Sequence, residues 1–185
     1  EKLDQLFSIS SNQEEGASMD ITGLIGQYAH GNEPSHHTTY MYAYSGEPYK
    51  IADKVRYINN ELYTDQPDGL SGNEDCGQMS AWYMFSSMGF YPVNPSNGAY
   101  VFGSPLFDEV LIDLPKDKSF KIIADNNSDQ NIYIQSVELN GKDHNYSYIT
   151  HKQIMNGGEL RFIMGDKPNY NFGKDKKFRP ASIVY

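Results

Sequence analysis

The chain has 185 residues, of which 38% are hydrophobic and 14% aromatic, and this is enough for one core or two small ones. Its formal net charge of −9, with no basic patch to offset it, argues against nucleic acid and anionic membrane surfaces as partners. The sequence contains no transmembrane run or internal repeat, and its single cysteine, Cys76, cannot form an internal disulfide.

The first polar cluster runs from His30 to His37 with the sequence His-Gly-Asn-Glu-Pro-Ser-His-His. Pro34 suits the first turn of a helix and Ser35 can cap one, so the pattern predicts a loop that leads into a helix. Folding alone does not require so many ligating groups in one loop. The cluster therefore indicates a site for a metal ion or a sugar, with candidate ligands Asn32, Glu33, His36 and His37.

Two helices are predicted to follow this cluster. Apolar residues recur at helical spacing in two stripes, which are interpreted as core: Ile51, Val55, Ile58 and Leu62 after Pro48, and then Met79, Trp82, Phe85 and Met88. The intervening segment, Tyr63 to Gly72, contains Pro67, Asp68 and Gly69 and predicts a long loop at the rim of a helical array.

A second polar cluster, Gly72 to Gln78, comes directly before the second apolar stripe. Asn73 is a plausible N-cap, which places Glu74 and Asp75 in the first helical turn, where the macrodipole favours an ionised carboxylate. Such a carboxylate at a cleft suits a general base. The alternative is that both acids only complement the helix dipole, but the presence of two polar clusters in one domain favours a site. Cys76 is interpreted as a small thiol at the start of a buried helix rather than as a nucleophile.

The second half has the pattern of an antiparallel β-sandwich. A Pro, Ser, Asn and Gly cluster at residues 94–98 marks the boundary, and Asn140-Gly141 and Asn156-Gly157-Gly158 are turn signals. The polar run Asp125 to Asp129 could bind calcium, but a turn explains it better. Strands are predicted over residues 109–114, 119–125, 132–140, 146–151 and 159–164.

Three segments, Asp20 to Pro34, His30 to His37 and Gly72 to Val93, resemble glycoside hydrolase family 92, the calcium-dependent, inverting, exo-acting α-mannosidases. The likeness is nearly continuous over residues 15–105 and looser beyond, which makes it more specific than a single octapeptide. It implies an α+β fold in which helices of an incomplete (α/α) toroid, residues 1–94, precede an antiparallel β-sandwich portion, residues 95–185. Periodicity alone predicts only helices followed by antiparallel strands.

The resemblance also implies roles for both clusters. A terminal α-mannoside would be hydrolysed by one carboxylic acid that protonates the leaving oxygen and one carboxylate that activates water, roughly 6.5 to 9.5 Å apart. Asp75 matches the family's base, whereas Asn73 stands where the family often has a first aspartate and cannot take a proton. Ca²⁺ would hold the mannose ring near Asn32 and Glu33, and His36, His37 and Glu74 would contact substrate. A zinc site at His36 and His37 is the alternative, but the oxygen donors nearby favour calcium.

The family's general acid, a glutamate in a Glu-Gly-Asn type of motif, has no counterpart between Glu1 and His30. The chain is therefore interpreted as a carboxy-terminal piece of a larger bacterial enzyme, and this piece is expected to lack activity by itself. The intact enzyme is expected to be exported to the periplasm or to the outside of the cell. Its expected partners are a mannose-containing glycan and the amino-terminal part of the same polypeptide. Apolar faces that this part would cover predict possible homodimerisation of the isolated chain.

Two questions stay open at this point. A non-catalytic carbohydrate-binding or interdomain β-sandwich module is the alternative function, although the dense polar clusters before residue 80 favour the enzyme, and a purely structural domain would leave the first cluster without a purpose. Linkage specificity is also open, because Gly16 and Ala17 stand where members acting on α-1,2 linkages tend to carry a His-Glu pair. This leaves α-1,3, α-1,4, α-1,6 and phosphate-bridged mannosides as candidates.

Overall fold

The computed structural model describes residues 1–10 and 21–182, so Gly16 and Ala17 lie outside the described residues. Helices come first and sheets second, which confirms the predicted α+β class. The first part contains α1 (Lys2–Ser8), a short hairpin of β1 (Leu24–Ile25) and β2 (Tyr28–Ala29), 3-10 turns at Glu33–Ser35 and Thr38–Met41, and then α2 (Tyr42–Ser45), α3 (Tyr49–Glu61) and α4 (Gln78–Ser87). No helix among the described residues is long and apolar enough to cross a membrane.

Both predicted helical stripes lie in the core. Pro48 caps α3, and Met79 and Trp82 of α4 are fully buried. The segment between the two helices is a loop, as predicted, closed by an antiparallel bridge between Tyr63 and Leu70. The fully buried members of the helical core are Tyr28, Tyr40, Tyr42, Ala43, Ile51, Val55, Ile58, Trp82 and Val101, with Tyr91 nearly so.

The second part packs two sheets against each other, and all five predicted strand runs are present. The strands are β3 (Phe90–Asn94), β4 (Ala99–Phe102), β5 (Glu109–Leu114), β6 (Lys118–Asp125), β7 (Tyr133–Leu139), β8 (Lys142–Asp143), β9 (Tyr148–Thr150) and β10 (Gly158–Gly165), with α5 (His151–Met155) before the last. A five-stranded sheet of order β5-β6-β10-β7-β8 faces a three-stranded sheet of order β3-β4-β9 across a shared apolar core.

One strand pair departs from the antiparallel prediction. Strands β6 and β10 run parallel, with Ile122 opposite Leu160. Between them in the chain lie β7, β8, β9 and α5, a connection long enough for the crossover that a parallel pair requires. The five-stranded sheet is therefore mixed.

The predicted boundary between residues 94 and 95 lies in the turn of the β3–β4 hairpin, at the 3-10 turn Pro95–Asn97. Side chains of this hairpin alternate between the two cores, because successive residues of a strand point to opposite faces. Phe90 and Phe102, which are paired, enter the sandwich core, while Tyr91 and Val101 enter the helical core. The hairpin thus belongs to both halves, and a division of the chain into two domains stays a prediction.

Arg56 of α3 also joins the two halves. The residue is 5% exposed, and it donates from Nε to Ser104 Oγ at 2.9 Å and from Nη2 to the Pro105 carbonyl and to Asn127. Burial lowers the pKa of Arg56. Asn127 lies in the predicted polar turn, where it donates to the Leu106 carbonyl at 3.1 Å. This turn therefore has a structural function in the contact between helix and sandwich.

Candidate functional site

The two polar clusters meet at one pocket, which we call the carboxylate pocket. It has a volume of about 320 Å³ and brings together four predicted site residues, Asn32, Glu33, Asn73 and Asp75. Its other lining residues, which the sequence analysis missed, are Thr22, Gly31 and Gly72. Gly31 and Gly72 contribute only shape and backbone, and a single threonine hydroxyl does not by itself point to a site.

Gly31 lets the two loops approach each other. A Cβ atom at Gly31 would lie 2.0 Å from Thr22 Oγ1 and 2.1 Å from the Ser71 carbonyl oxygen, so no side chain fits there. The Gly31 amide donates to the Thr22 carbonyl at 3.1 Å, and the Thr22 hydroxyl donates to the Ser71 carbonyl at 2.7 Å. The segment before His30 thus ties the first loop to the second.

The second loop reaches α4 through a left-handed turn. Asp75, Cys76 and Gly77 have φ values of 48°, 59° and 88°, and Gly77 is the N-cap residue. The prediction that Asn73 caps this helix is therefore wrong, and Glu74 and Asp75 precede the helix instead of lying in its first turn. Cys76 lies in the same turn, directly before the helix, and is exposed.

Glu74 satisfies part of the free helix end. Its carboxylate accepts the Ser80 amide at 3.0 Å and the Ser80 hydroxyl at 2.7 Å, and these two bonds lower the pKa of Glu74. The capping group therefore comes from outside the helix, which single-residue cap preferences do not predict. Glu74 does not line the carboxylate pocket, and its predicted contact with substrate stays a prediction.

Glu33 and Asp75 form the charged centre of the pocket. A hydrogen bond with Glu33, desolvation and the negative charge of Glu33 raise the pKa of Asp75. Asp75 precedes the helix, and its neighbour Glu33 acts on its pKa in the direction opposite to that expected of a helix dipole. Glu33 Oε1 is buried without a hydrogen-bond partner. Two carboxylates of this kind attract a proton or a cation.

His30 and His36 are buried, and in the chain they flank the pocket residues Gly31, Asn32 and Glu33. The Tyr63 hydroxyl donates to the Met79 carbonyl at 3.0 Å, so His30 Nε2 donates to Tyr63, at 2.7 Å, and His30 Nδ1 accepts from Tyr28, at 2.9 Å. Burial lowers the pKa of His30 to about 3 and also lowers the pKa of His36. Both rings are therefore neutral near pH 7.

The predicted contacts of His36 and His37 with substrate stay predictions, but the two side chains have different surroundings. His36 is 1% exposed, stacks on His30 with ring centroids 4.6 Å apart, and has both ring nitrogens in hydrogen bonds. His37 is exposed. Of the pair, only His37 presents its ring to solvent, and neither lines the carboxylate pocket.

The side-chain atoms of the pocket that could coordinate a metal ion are oxygens. They come from two carboxylates, two side-chain amides and the Thr22 hydroxyl, a set that suits hard cations and sugar hydroxyls. Among residues 1–10 and 21–182, no group of three or more His, Cys, Asp or Glu side chains is arranged to hold a metal ion. A cation here would therefore also need amide or carbonyl oxygens, water, or ligands from another chain segment.

A larger depression, of about 640 Å³, lies on the sandwich. It includes Tyr100 and His151, whose rings are stacked, but it contains no carboxylate and is lined by the cation Lys152. General acid–base chemistry needs titratable groups close together, so the smaller carboxylate pocket is the better candidate for catalysis.

Comparison with known proteins finds a family model and a relative that resemble this chain. The chain matches the glycosyl hydrolase family 92 catalytic domain over residues 1–166. It is 33% identical over 156 residues to a protein of Arthroderma benhamiae named an uncharacterized secreted glycosidase, and the match covers 83% of this chain and 20% of that protein.

Two solved structures from Bacteroides thetaiotaomicron are also similar. A family GH92 alpha-mannosidase is 43% identical with a TM-score of 0.90, over 100% of this chain and 24% of that one. A family GH92 inverting mannosidase is 38% identical with a TM-score of 0.84, over 98% of this chain and 26% of that one. The chain thus spans 20% to 26% of the length of these relatives.

Proposed function

This chain belongs to glycosyl hydrolase family 92, and from this membership we propose that the protein that carries it hydrolyses terminal α-mannosides with inversion. The observation that carries the proposal is the carboxylate pocket, where Asp75 and Glu33 meet beside amide groups in the part of the chain that matches the family domain. The activity is proposed for the whole protein, since the chain spans 20% to 26% of its relatives.

Asp75 is the proposed base. Its raised pKa makes its carboxylate a stronger proton acceptor than an ordinary aspartate, which suits removal of a proton from water. Asn73, in the same pocket, can orient that water by hydrogen bonding but cannot accept its proton.

Glu33 does not suit the role of the opposing acid. An inverting enzyme needs roughly 6.5 to 9.5 Å between its two carboxyl groups so that water fits between them. Glu33 is within hydrogen-bonding reach of Asp75. No Glu-Gly-Asn motif occurs between Glu1 and His30. We therefore assign the general acid to another part of the polypeptide, and the isolated chain is expected to be inactive.

Calcium is the proposed cofactor, held by Glu33 and Asn32 with further oxygen ligands. The buried, unpartnered Glu33 Oε1 fits a cation ligand, and a bound cation would offset the charges of Glu33 and Asp75 while it holds sugar hydroxyls. The zinc alternative at His36 and His37 is less suitable, because both ring nitrogens of His36 are already in hydrogen bonds and His37 does not line the pocket.

The remaining partners follow from the surface and from the relatives. An apolar groove of about 410 Å³ on the helical half contains Leu70, Tyr83 and Met84, the last 51% exposed, and we propose that other helices of the same polypeptide cover it. The substrate is a mannose-containing glycan, contacted by the exposed His37. We propose export to the periplasm or the outside of the cell, since one relative is named a secreted glycosidase.

The test is to assay the full-length protein with a panel of α-linked mannobioses while following the product by NMR. We expect β-mannose as the first product, and a turnover lowered at least about a hundredfold by Asp75→Asn. Asp68→Asn, at an exposed position of the preceding loop, is the matched control. First appearance of α-mannose, or near-normal turnover of a folded Asp75→Asn protein, would contradict the proposed mechanism.

A metal arm of the same assay tests the cofactor. Chelation should abolish turnover, and calcium should restore it where zinc does not, because the pocket offers oxygen donors. Restoration by zinc alone would contradict the assignment.

A further inference from the structure

A side-chain bridge joins the two loops that form the carboxylate pocket. The Gln78 amide Nε2 lies 3.1 Å from His36 Nδ1. His36 follows Glu33 by three residues, and Gln78 follows Asp75 by three residues. The bridge therefore connects the two loops at the same spacing along the chain from each acid. Neither residue lines the pocket.

The direction of the bridge follows from its neighbours. His36 Nε2 lies 2.9 Å from the His30 carbonyl oxygen, which can only accept, so the ring proton is on Nε2 and Nδ1 is an acceptor. Gln78 therefore donates to Nδ1. The same amide also lies 3.0 Å from the Tyr91 hydroxyl, to which it donates its second proton.

Helix α4 holds His36 at a second point. One turn after Gln78, Trp82 donates from its indole nitrogen to the His36 carbonyl at 3.2 Å. Trp82 is fully buried and packs edge-on against His30 with ring centroids 4.5 Å apart. The ring and the backbone of His36 are thus both attached to one rigid helix, and this helix begins directly after the left-handed turn that carries Asp75.

We propose that Gln78 and His36 are positioning residues that hold Glu33 and Asp75 at their working separation. This inference rests on the function proposed above. A mispositioned base still allows substrate to bind but no longer places the water correctly, so loss of the bridge should lower kcat more than it raises KM.

The experiment compares Gln78→Met with Tyr91→Phe in the full-length protein. Methionine keeps the length of the side chain but cannot donate, whereas Tyr91→Phe removes the other partner of the amide and leaves the bridge intact. For Gln78→Met we expect kcat to fall about 10- to 100-fold with KM changed less than about threefold. Tyr91→Phe should stay within about twofold of wild type in both constants.

Turnover of Gln78→Met within about twofold of wild type, or equal losses in the two variants, would overturn the proposal. If Gln78→Met does not fold, Gln78→Leu replaces it under the same criteria, because leucine can neither donate to Nδ1 nor accept from it. If the wild-type protein hydrolyses no mannoside, the proposed function fails. Crystal structures of the wild type and of Gln78→Met then test whether the bridge sets the separation of the two acids. A wider Glu33–Asp75 separation in Gln78→Met would support the inference, and an unchanged one would overturn it.

Discussion

The sandwich and the helical half differ in how their buried polar atoms are satisfied. In the sandwich, buried apolar residues alternate with more exposed ones along β6 and β10, as expected of strands with one face in a core. In the described part of the chain, every buried side-chain atom without a hydrogen-bond partner lies between residues 33 and 87, on Glu33, Thr39, Tyr42, Asn59 and Ser87. Such atoms cost stability, and one of them, Glu33 Oε1, belongs to a residue that lines the carboxylate pocket.

Left-handed backbone conformations show the same difference. In the sandwich, non-glycine residues with positive φ lie between strands, as at Lys116 and Asp117, at Asn126 and at Asn140. In the helical half they are Asp75 and Cys76, and there they direct a proposed base into a pocket. The left-handed conformation thus closes turns between strands in the sandwich, and in the helical half it positions the side chain of a proposed catalytic residue.

Removal of a sandwich core residue should have the largest effect on stability. Phe162 is fully buried and packs edge-on against Phe102 at 5.1 Å between ring centroids. We expect Phe162→Ala to lower the free energy of unfolding by about 3–5 kcal/mol, measured by hydrogen exchange of the sandwich amides in the full-length protein. Leu111→Ala, at a residue 60% exposed on the same sheet, should change it by less than about 0.5 kcal/mol. If the amides of the helical half exchanged faster by the same factor, this would show that the two cores open together.

Gly31→Ala should have the next largest effect, and it should act on the site. The new Cβ would collide with Thr22 Oγ1 and with the Ser71 carbonyl, and a backbone oxygen cannot move aside easily. We expect the free energy of opening of both loops to fall by about 3 kcal/mol, as measured by hydrogen exchange, and turnover to be lost. Gly141→Ala is the control, because its Cβ would meet nothing within 4 Å and only its positive φ costs about 1 kcal/mol. Normal activity of Gly31→Ala would separate the loop contact from function.

Acid should produce a smaller, graded loss of stability that originates partly at His30. Burial lowers the pKa of His30 from 6.5 to about 3. The neutral ring therefore makes its full contribution to the free energy of unfolding above pH 6.5, and this contribution is lost as the pH falls toward 3. At pH 5 the loss amounts to about 2 kcal/mol. His30→Gln, which stays neutral, should show a shallower decline in hydrogen exchange between pH 7 and pH 5. Burial also lowers the pKa of His36 and His144, so the remaining slope in the variant reports on those rings. An unchanged slope would contradict the assignment to His30.

Much of the architecture could be predicted from local patterns. The apolar stripe on α3 and the alternation along β5, β6 and β10 each reflect a periodicity set by the backbone of a single element. The pairing of β6 with β10 could not be predicted, since parallel or antiparallel pairing depends on where the chain returns after α5. The sharing of β3 and β4 between two cores was hidden for the same reason, because the faces of a strand acquire their neighbours only in the folded state.

The sequence by itself determined which residues are proposed to carry chemistry. It singled out Asn32, Glu33, Asn73 and Asp75, and the family likeness, because residue types and their order along the chain do not depend on the fold. Only the tertiary structure decided how these residues meet: Glu33 beside Asp75, Glu74 turned to Ser80, and His36 buried under a bridge from Gln78. The first and last of these contacts join positions 42 residues apart, and such pairs are set by the packing of α4 against the first loop rather than by any local preference.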